Sequence, residues 1–154
     1  MSDTLTDLDR LLIERACEAL VHRYSRALDL GDMSGAADCF AVNGSMARPM
    51  MPDVVIEGRE NIRASLLTRP KTLLTKHLAT NTQIEVQDAD HATGLSYLTM
   101  ISCTPGADDK PPFLSAGPLW FGEFRDRFVR EDGQWRFLER RGSIQMKFNG
   151  GQQP

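Results

Sequence analysis

Few of the residue types that announce chemistry are present in this chain. Its 154 residues include only three histidines and three cysteines. That is too little imidazole for a His-rich metal site. Cys17, Cys39 and Cys103 are far apart and form neither a disulfide framework nor a CxxC knuckle. All three sit among apolar neighbours and read as buried, inert thiols of a reduced protein. No apolar run approaches the ~18 residues that a membrane span requires. Met1 to Asp7 is acidic and lacks a basic segment leading into an apolar one, so no secretion signal is expected. GxGxxG, P-loop, GxSxG and HExxH patterns are all missing, so no metal and no cofactor are expected. An excess of positive charge is missing too. Lys and Arg number 18 against 21 Asp and Glu, a net charge of −3, whereas binding phosphate backbones requires positive potential. The expected setting is cytoplasmic, without nucleic acid or membrane as partner.

What is there is an ordinary globular composition, 41% hydrophobic and 25% charged, at a length that suits one domain spanning residues 1–154. From Asp7 to Leu30 apolar residues recur at helical spacing: Leu8, Leu12, Ile13, Ala16, Cys17, Leu20, Tyr24, Ala27 and Leu28. Gly31 supplies the stop, and Asp32 can cap a short second helix through Phe40. Asn43-Gly44 reads as a turn, Met46 to Pro52 as irregular, and Val54–Ile56 as a short strand. A third helix is expected over Arg59–Leu67, ended by Pro70. The period then changes. Four β segments are expected near 73–86, 92–103, 116–130 and 134–148, with Asp132-Gly133 as the strongest hairpin signal. Residues 104–118 form a loop with four prolines and two glycines. Helices first and antiparallel strands afterwards predict an α+β fold: a curved sheet covered by three N-terminal helices, with a pocket inside.

The search for chemistry reduces to which histidine works inside that pocket. His91 follows Asp88 and Asp90 in a turn and reads as solvated. His22 lies on the helix seven residues before Asp29, on the same face, and also reads as exposed. His77 differs, because strand alternation puts Thr75, His77, Ala79 and Asn81 on one uncharged face. Such a face suits a pocket wall, although a satisfied core histidine fits it as well. Asp29, in the last helical turn where a carboxylate opposes the helix dipole, is either that histidine's partner or a surface acid paired with Arg26. Helical geometry alone separates Tyr24 and Asp29 by about 140° around the axis. Only a helix lying across a cavity would then present both.

These segments resemble the SnoaL-like family of the nuclear transport factor 2-like superfamily. The resemblance is carried by Tyr24-Ser25-Arg26-Ala27-Leu28-Asp29-Leu30-Gly31-Asp32, Ile56-Glu57-Gly58-Arg59-Glu60-Asn61-Ile62, Lys76-His77 with Asn81, and Phe128 to Arg136. It covers residues 8–148 and implies a cone-shaped half-barrel with a deep pocket. Its His–Asp dehydratases and dehydrochlorinases imply a working pair at Asp29 and His77, with Tyr24 as hydrogen-bond donor. The activity implied is a cofactor-independent, dehydratase-like lyase reaction on a small hydrophobic ring compound. Met46, Tyr97, Met100, Trp120, Phe124 and Met146 are the expected substrate-binding wall. Any of Arg125, Arg127, Arg140 or Arg141 is a candidate for a pocket arginine, the rest forming a solvated ion-pair face. The family also implies two rival readings, an isomerase or cyclase using the same pair, and a non-catalytic module like an oxygenase small subunit. A homodimer or homotrimer is the expected assembly.

Overall fold

A computed structural model of the chain describes residues 4–115 and 117–149. The first helix, α1, runs Asp7–Leu30. It starts where Thr6 and Asp9 each satisfy a free backbone N–H of the other, and it stops where Gly31 turns left-handed at φ 77°. Asp32 accepts from the Gly35 amide at 2.8 Å and caps α2, Met33–Ala37. This helix ends before Phe40, because Phe40–Arg48 is the strand β1. The Asn43-Gly44 pair is therefore not a turn but part of a strand. Met46 to Pro52, expected to be irregular, is β1 doubling back into β2, Met51–Glu57. Gly58 leads at φ 85° into α3, Arg59–Leu67.

Four long strands follow: β3 (Leu74–Val86), β4 (His91–Cys103), β5 (Leu119–Glu131) and β6 (Gln134–Phe148). The expected start of β5 at Ala116 lies outside the described residues. Asp132 and Gly133 both take positive φ, 51° and 76°, as a tight hairpin between β5 and β6 demands. One six-stranded sheet results, in the order β2-β1-β6-β5-β4-β3. Every neighbouring pair is antiparallel except β1 with β6. The fold is thus α+β, with a curved, unclosed sheet and its helices on the concave side.

The core lies between α1 and that concave face. Cys17, Leu20, Val21, Tyr24 and Leu28 of α1 are buried, each large apolar side chain contributing about 1.5–3 kcal/mol. Tyr24 meets Phe40 and Phe137 edge-on, at 5.7 and 5.8 Å between ring centres. Phe128 packs against Phe137 at 5.4 Å. Cys17 and Cys39 are buried in this layer and Cys103 is half-buried. Burial pushes the Cys17 thiol up to about 12, which keeps it protonated.

Two irregularities decide which side chains face inward. Between Thr80 and Gln83 the β3–β4 register shifts, and Asn81 takes a positive φ of 51°. Thr75, His77 and Ala79 stay on the concave face, while Asn81 is an exposed bulge residue. In β6, Ile144 pairs with Gly122 and Met146 with Phe121, leaving Gln145 without a partner. That bulge moves Met146 to the convex face.

Candidate active site

A cavity of about 370 Å³ opens between the concave face, the end of α1 and the β1–β2 turn. Its body is apolar: Leu28, Leu66, Leu98, Met100, Phe124 and Ile144. Tyr24, His77, Thr68, Thr75, Ser102, Arg48 and Arg69 are the polar side chains in its wall among the described residues. Gly142 lets the wall close. A Cβ there would lie 2.5 Å from Pro49 Cγ and 2.8 Å from Phe124 Cε1, so only glycine admits both neighbours at this approach.

Asp29 and His77 meet. His77 Nδ1 lies 2.5 Å from Asp29 Oδ1, and the His77 amide donates to Asp29 Oδ2 at 2.9 Å. Thr75, two residues earlier on the same face, donates its hydroxyl to Oδ1 at 2.9 Å and receives a bond from Arg69 Nη2 at 2.5 Å. The carboxylate that opposes the α1 dipole is thus held by three hydrogen bonds from one strand. Burial pushes the Asp29 carboxyl up, but the His77 ring, the His77 amide and the Thr75 hydroxyl outweigh it. The group settles below its ordinary value. No ion pair joins Asp29 to Arg26 among the described residues.

An ionised Asp29 accepts from Nδ1–H, which leaves Nε2 as the unprotonated nitrogen of the neutral ring. His77 lines the cavity while Asp29 stands behind it. The angular separation of Tyr24 and Asp29 is resolved by this arrangement: only Tyr24 faces the cavity, and Asp29 reaches it through the imidazole. Tyr24 is 5% exposed, and burial pushes its phenol up to about 12, so it stays a donor. Its partner is Met46 Sδ at 3.4 Å, a weak acceptor that a ligand oxygen can displace.

The other expected wall residues divide. Met100 and Phe124 line the cavity. Met46 is buried beneath it and touches the Tyr24 hydroxyl instead. Tyr97 and Met146 are 51% and 64% exposed on the convex face. Alternation opposite Glu123 puts Tyr97 there, and the Gln145 bulge puts Met146 there. Trp120 pairs with Met100, yet its ring lies beyond the cavity under the Lys147 ammonium, 5.0 Å away. His22 is exposed, and His91 is paired to Asp88 at 2.9 Å in its turn.

None of Arg125, Arg127, Arg140 or Arg141 lines the cavity. Arg140 is not on a solvated face either, being 0% exposed. It donates to Asp126 at 2.7 Å and lies over the rings of Phe124, Phe137 and Tyr24, at 3.7, 4.5 and 4.9 Å. Burial pushes the Asp126 carboxyl up to about 7, against the pull of Arg140. The arginines that do face the cavity, Arg48 and Arg69, escape a reading of the sequence. Arg48 ends a strand that composition disguises as a loop, and Arg69 precedes Pro70 in a connecting segment. Their one signal is position, since both flank the elements that close the cavity mouth.

Residues 9–141 match the SnoaL-like domain model, and the chain belongs to that family. Its fold is similar to that of a putative scytalone dehydratase from Novosphingobium aromaticivorans, at TM-score 0.78 and 21% identity, covering 96% of this chain and 94% of that one. A hexachlorocyclohexane dehydrochlorinase is similar at 0.75 and 17%, covering 96% and 95%. A Mycobacterium tuberculosis protein of unknown function, Rv3472, is similar at 0.71 and 29%, covering 88% and 77%. A search of curated proteins returns no match.

Proposed function

We propose that the chain is a cofactor-independent lyase that carries out a dehydratase-like elimination on a small hydrophobic ring compound. The observation that carries this reading is the 2.5 Å contact between Asp29 Oδ1 and His77 Nδ1, with the ring forming part of an apolar cavity wall. Nε2 removes a proton from the carbon beside the one bearing a hydroxyl. The C–H electrons form the double bond, and the C–O bond breaks with its electron pair on oxygen. Asp29 fixes the tautomer and stabilises the imidazolium that forms. Tyr24 turns from Met46 to donate to the substrate oxygen on which negative charge develops.

Among the described residues, His77 and Tyr24 are the titratable groups of the wall other than its arginines, and Tyr24 is held protonated. The imidazolium therefore returns the proton to the departing hydroxyl, which leaves as water. The same economy of proton carriers favours one second reading, an isomerase in which His77 returns the proton to another carbon. A cavity of about 370 Å³ is at the small end of the roughly 300–1,000 Å³ typical of ligand sites, which suits a compact substrate. The homodimer or homotrimer expected from the sequence belongs to this proposal, supported by the exposed Leu78, Tyr97 and Met146 on the convex face. Sedimentation velocity measures it.

The test of the reaction is turnover of a panel of hydroxylated ring ketones, followed by the ultraviolet absorbance of the conjugated product. His77→Ala should lower it by about 10²–10⁴-fold and leave the circular dichroism unchanged. Undiminished activity in that variant sinks the scheme. Deuterium uptake from solvent without loss of water would identify the isomerase instead.

A further inference from the structure

Among the described residues, the cavity wall holds two guanidinium groups and no carboxylate. Arg48 enters from the end of β1, and Arg69 from the segment between α3 and β3. Among the described residues neither forms an ion pair. Arg48 uses Nη2 on the Ser65 carbonyl at 2.6 Å and the Ser65 hydroxyl at 2.8 Å. Its Nε is buried without a partner. Arg69 uses Nη2 on the Thr75 hydroxyl and makes no other hydrogen bond to the described residues. The nearest acid, Asp29, is reached only through that hydroxyl and is already committed to His77.

Arg140 shows what this chain does with an arginine it means to bury. A carboxylate sits 2.7 Å from Arg140, with aromatic rings around it. Arg48 and Arg69 are only half-buried, yet they share one largely apolar cavity and lack any such partner. Burial weakens the hold of Arg69 on its proton, and the positive charge of Arg48 adds to that effect, while Asp29 and Tyr24 oppose it. Two like charges facing one apolar space are costly unless an anion joins them.

We infer that the molecule this cavity takes carries a carboxylate, held by Arg48 and Arg69, while its apolar body lies against Leu98, Met100, Phe124 and Ile144. The inference rests on reading the cavity as a substrate site, and it deepens that reading by naming the charged group. A planar carboxylate matches the fork of a guanidinium, which presents two parallel donors. The anchor also has a distance to the chemistry. Arg69 is tied to Thr75, and Thr75 and His77 are two residues apart on one strand, about 7 Å. An acid group at the arginines thus places a carbon roughly one small ring away beside the imidazole.

Titration calorimetry near neutral pH with 1-naphthoate and its neutral isostere 1-naphthamide tests the inference. The protein should bind naphthoate at least about tenfold more tightly than naphthamide. Arg48→Gln and Arg69→Gln should each remove most of that preference and leave the naphthamide affinity unchanged. Should either glutamine variant fail to fold, Arg48→Lys and Arg69→Lys keep the charge without the planar fork. These should weaken naphthoate binding alone. His77→Ala, which slows turnover under the elimination reading, should keep the preference, so binding and chemistry fail separately. Loss of the preference in His77→Ala assigns the anion to the imidazole and overturns the arginine pair. Equal affinity for the two probes, no binding of naphthoate, or a preference that survives Arg48→Gln/Arg69→Gln also overturns it.

Discussion

The same strands that present Thr75, His77, Met100 and Phe124 to the cavity present Leu78, Tyr97, Glu123 and Arg125 to the other side of the sheet. On the convex side the charges are paired locally: Arg125 with Glu123 at 2.9 Å and Arg141 with Glu139 at 3.3 Å. Such partly exposed pairs contribute about 0–1 kcal/mol each, because water still screens them. On the concave side the carboxylates are few, and each is held by specific donors. Asp29 receives three hydrogen bonds from β3 and is pulled down, whereas Asp126 is held by Arg140 alone and is pushed up. Charge on the convex face is interchangeable, and charge on the concave face is assigned. A count of arginines and acids along β5 and β6 mixes the two sorts.

The sharpest way to test that contrast is to remove one charge-bearing group from the concave side. His77→Ala should lower kcat by about 10²–10⁴-fold on a competent hydroxylated substrate, the scale of general-base catalysis. Tyr24→Phe comes next. It removes one hydroxyl donor, and kcat should fall by about 10²-fold. Its thermal midpoint should hardly move, because the lost partner is a thioether. Gly142→Ala forces a methyl between Pro49 and Phe124 and should cost about 1–3 kcal/mol in urea unfolding, with the cavity mouth altered as well.

A smaller effect is expected from pH. Because the Asp29 carboxyl lies below its ordinary value of 3.8 in the folded chain, its hydrogen bonds add stability above that pH. The contribution disappears as the pH falls through the lowered value. Asp29→Asn should therefore flatten this part of the acid limb in a series of unfolding midpoints taken below pH 4. Smallest of all should be Tyr97→Ala on the convex face, with kcat and KM per protomer unchanged. A drop in kcat comparable to that of Tyr24→Phe would erase the distinction between the faces.

Much of this architecture can be read from the sequence where a pattern repeats. The period of α1, the Gly31 stop, the Asp32 cap and the Asp132-Gly133 hairpin each encode a local geometry directly. So do the bounds of α3 and β6. Strand alternation puts His77 and Thr75 on one face, and the structure brings Asp29 to both of them. The departures have a common cause. β1 and β2 look irregular because Asn43, Gly44, Pro49 and Pro52 break the alternation, although tertiary pairing with β6 carries the strand through. Tyr97 and Met146 suit a pocket wall by hydrophobicity, which does not say which face a side chain takes. Arg140 looks like its solvated neighbours until Asp126, fourteen positions away, is seen across the strand pair. Arg48 and Arg69 have no local signature at all, because only the closure of the cavity brings them together.

The unpaired Gln145 in β6 bears on how this end of the molecule can change. Beyond it, inward and outward positions are written in a frame shifted by one residue from that of the strand before it. Deleting Gln145 would seat Met146 directly after Ile144, where plain alternation keeps it on the convex face opposite Phe121 and only the local bend is lost. Replacing Met146 in place would touch only the convex surface. The rim of the cone near Trp120 therefore keeps its inward and outward side chains through the loss of that residue, and only its curvature changes. Two relatives that differ by the one residue at this point would offer their ligands the same side chains on a differently bent rim.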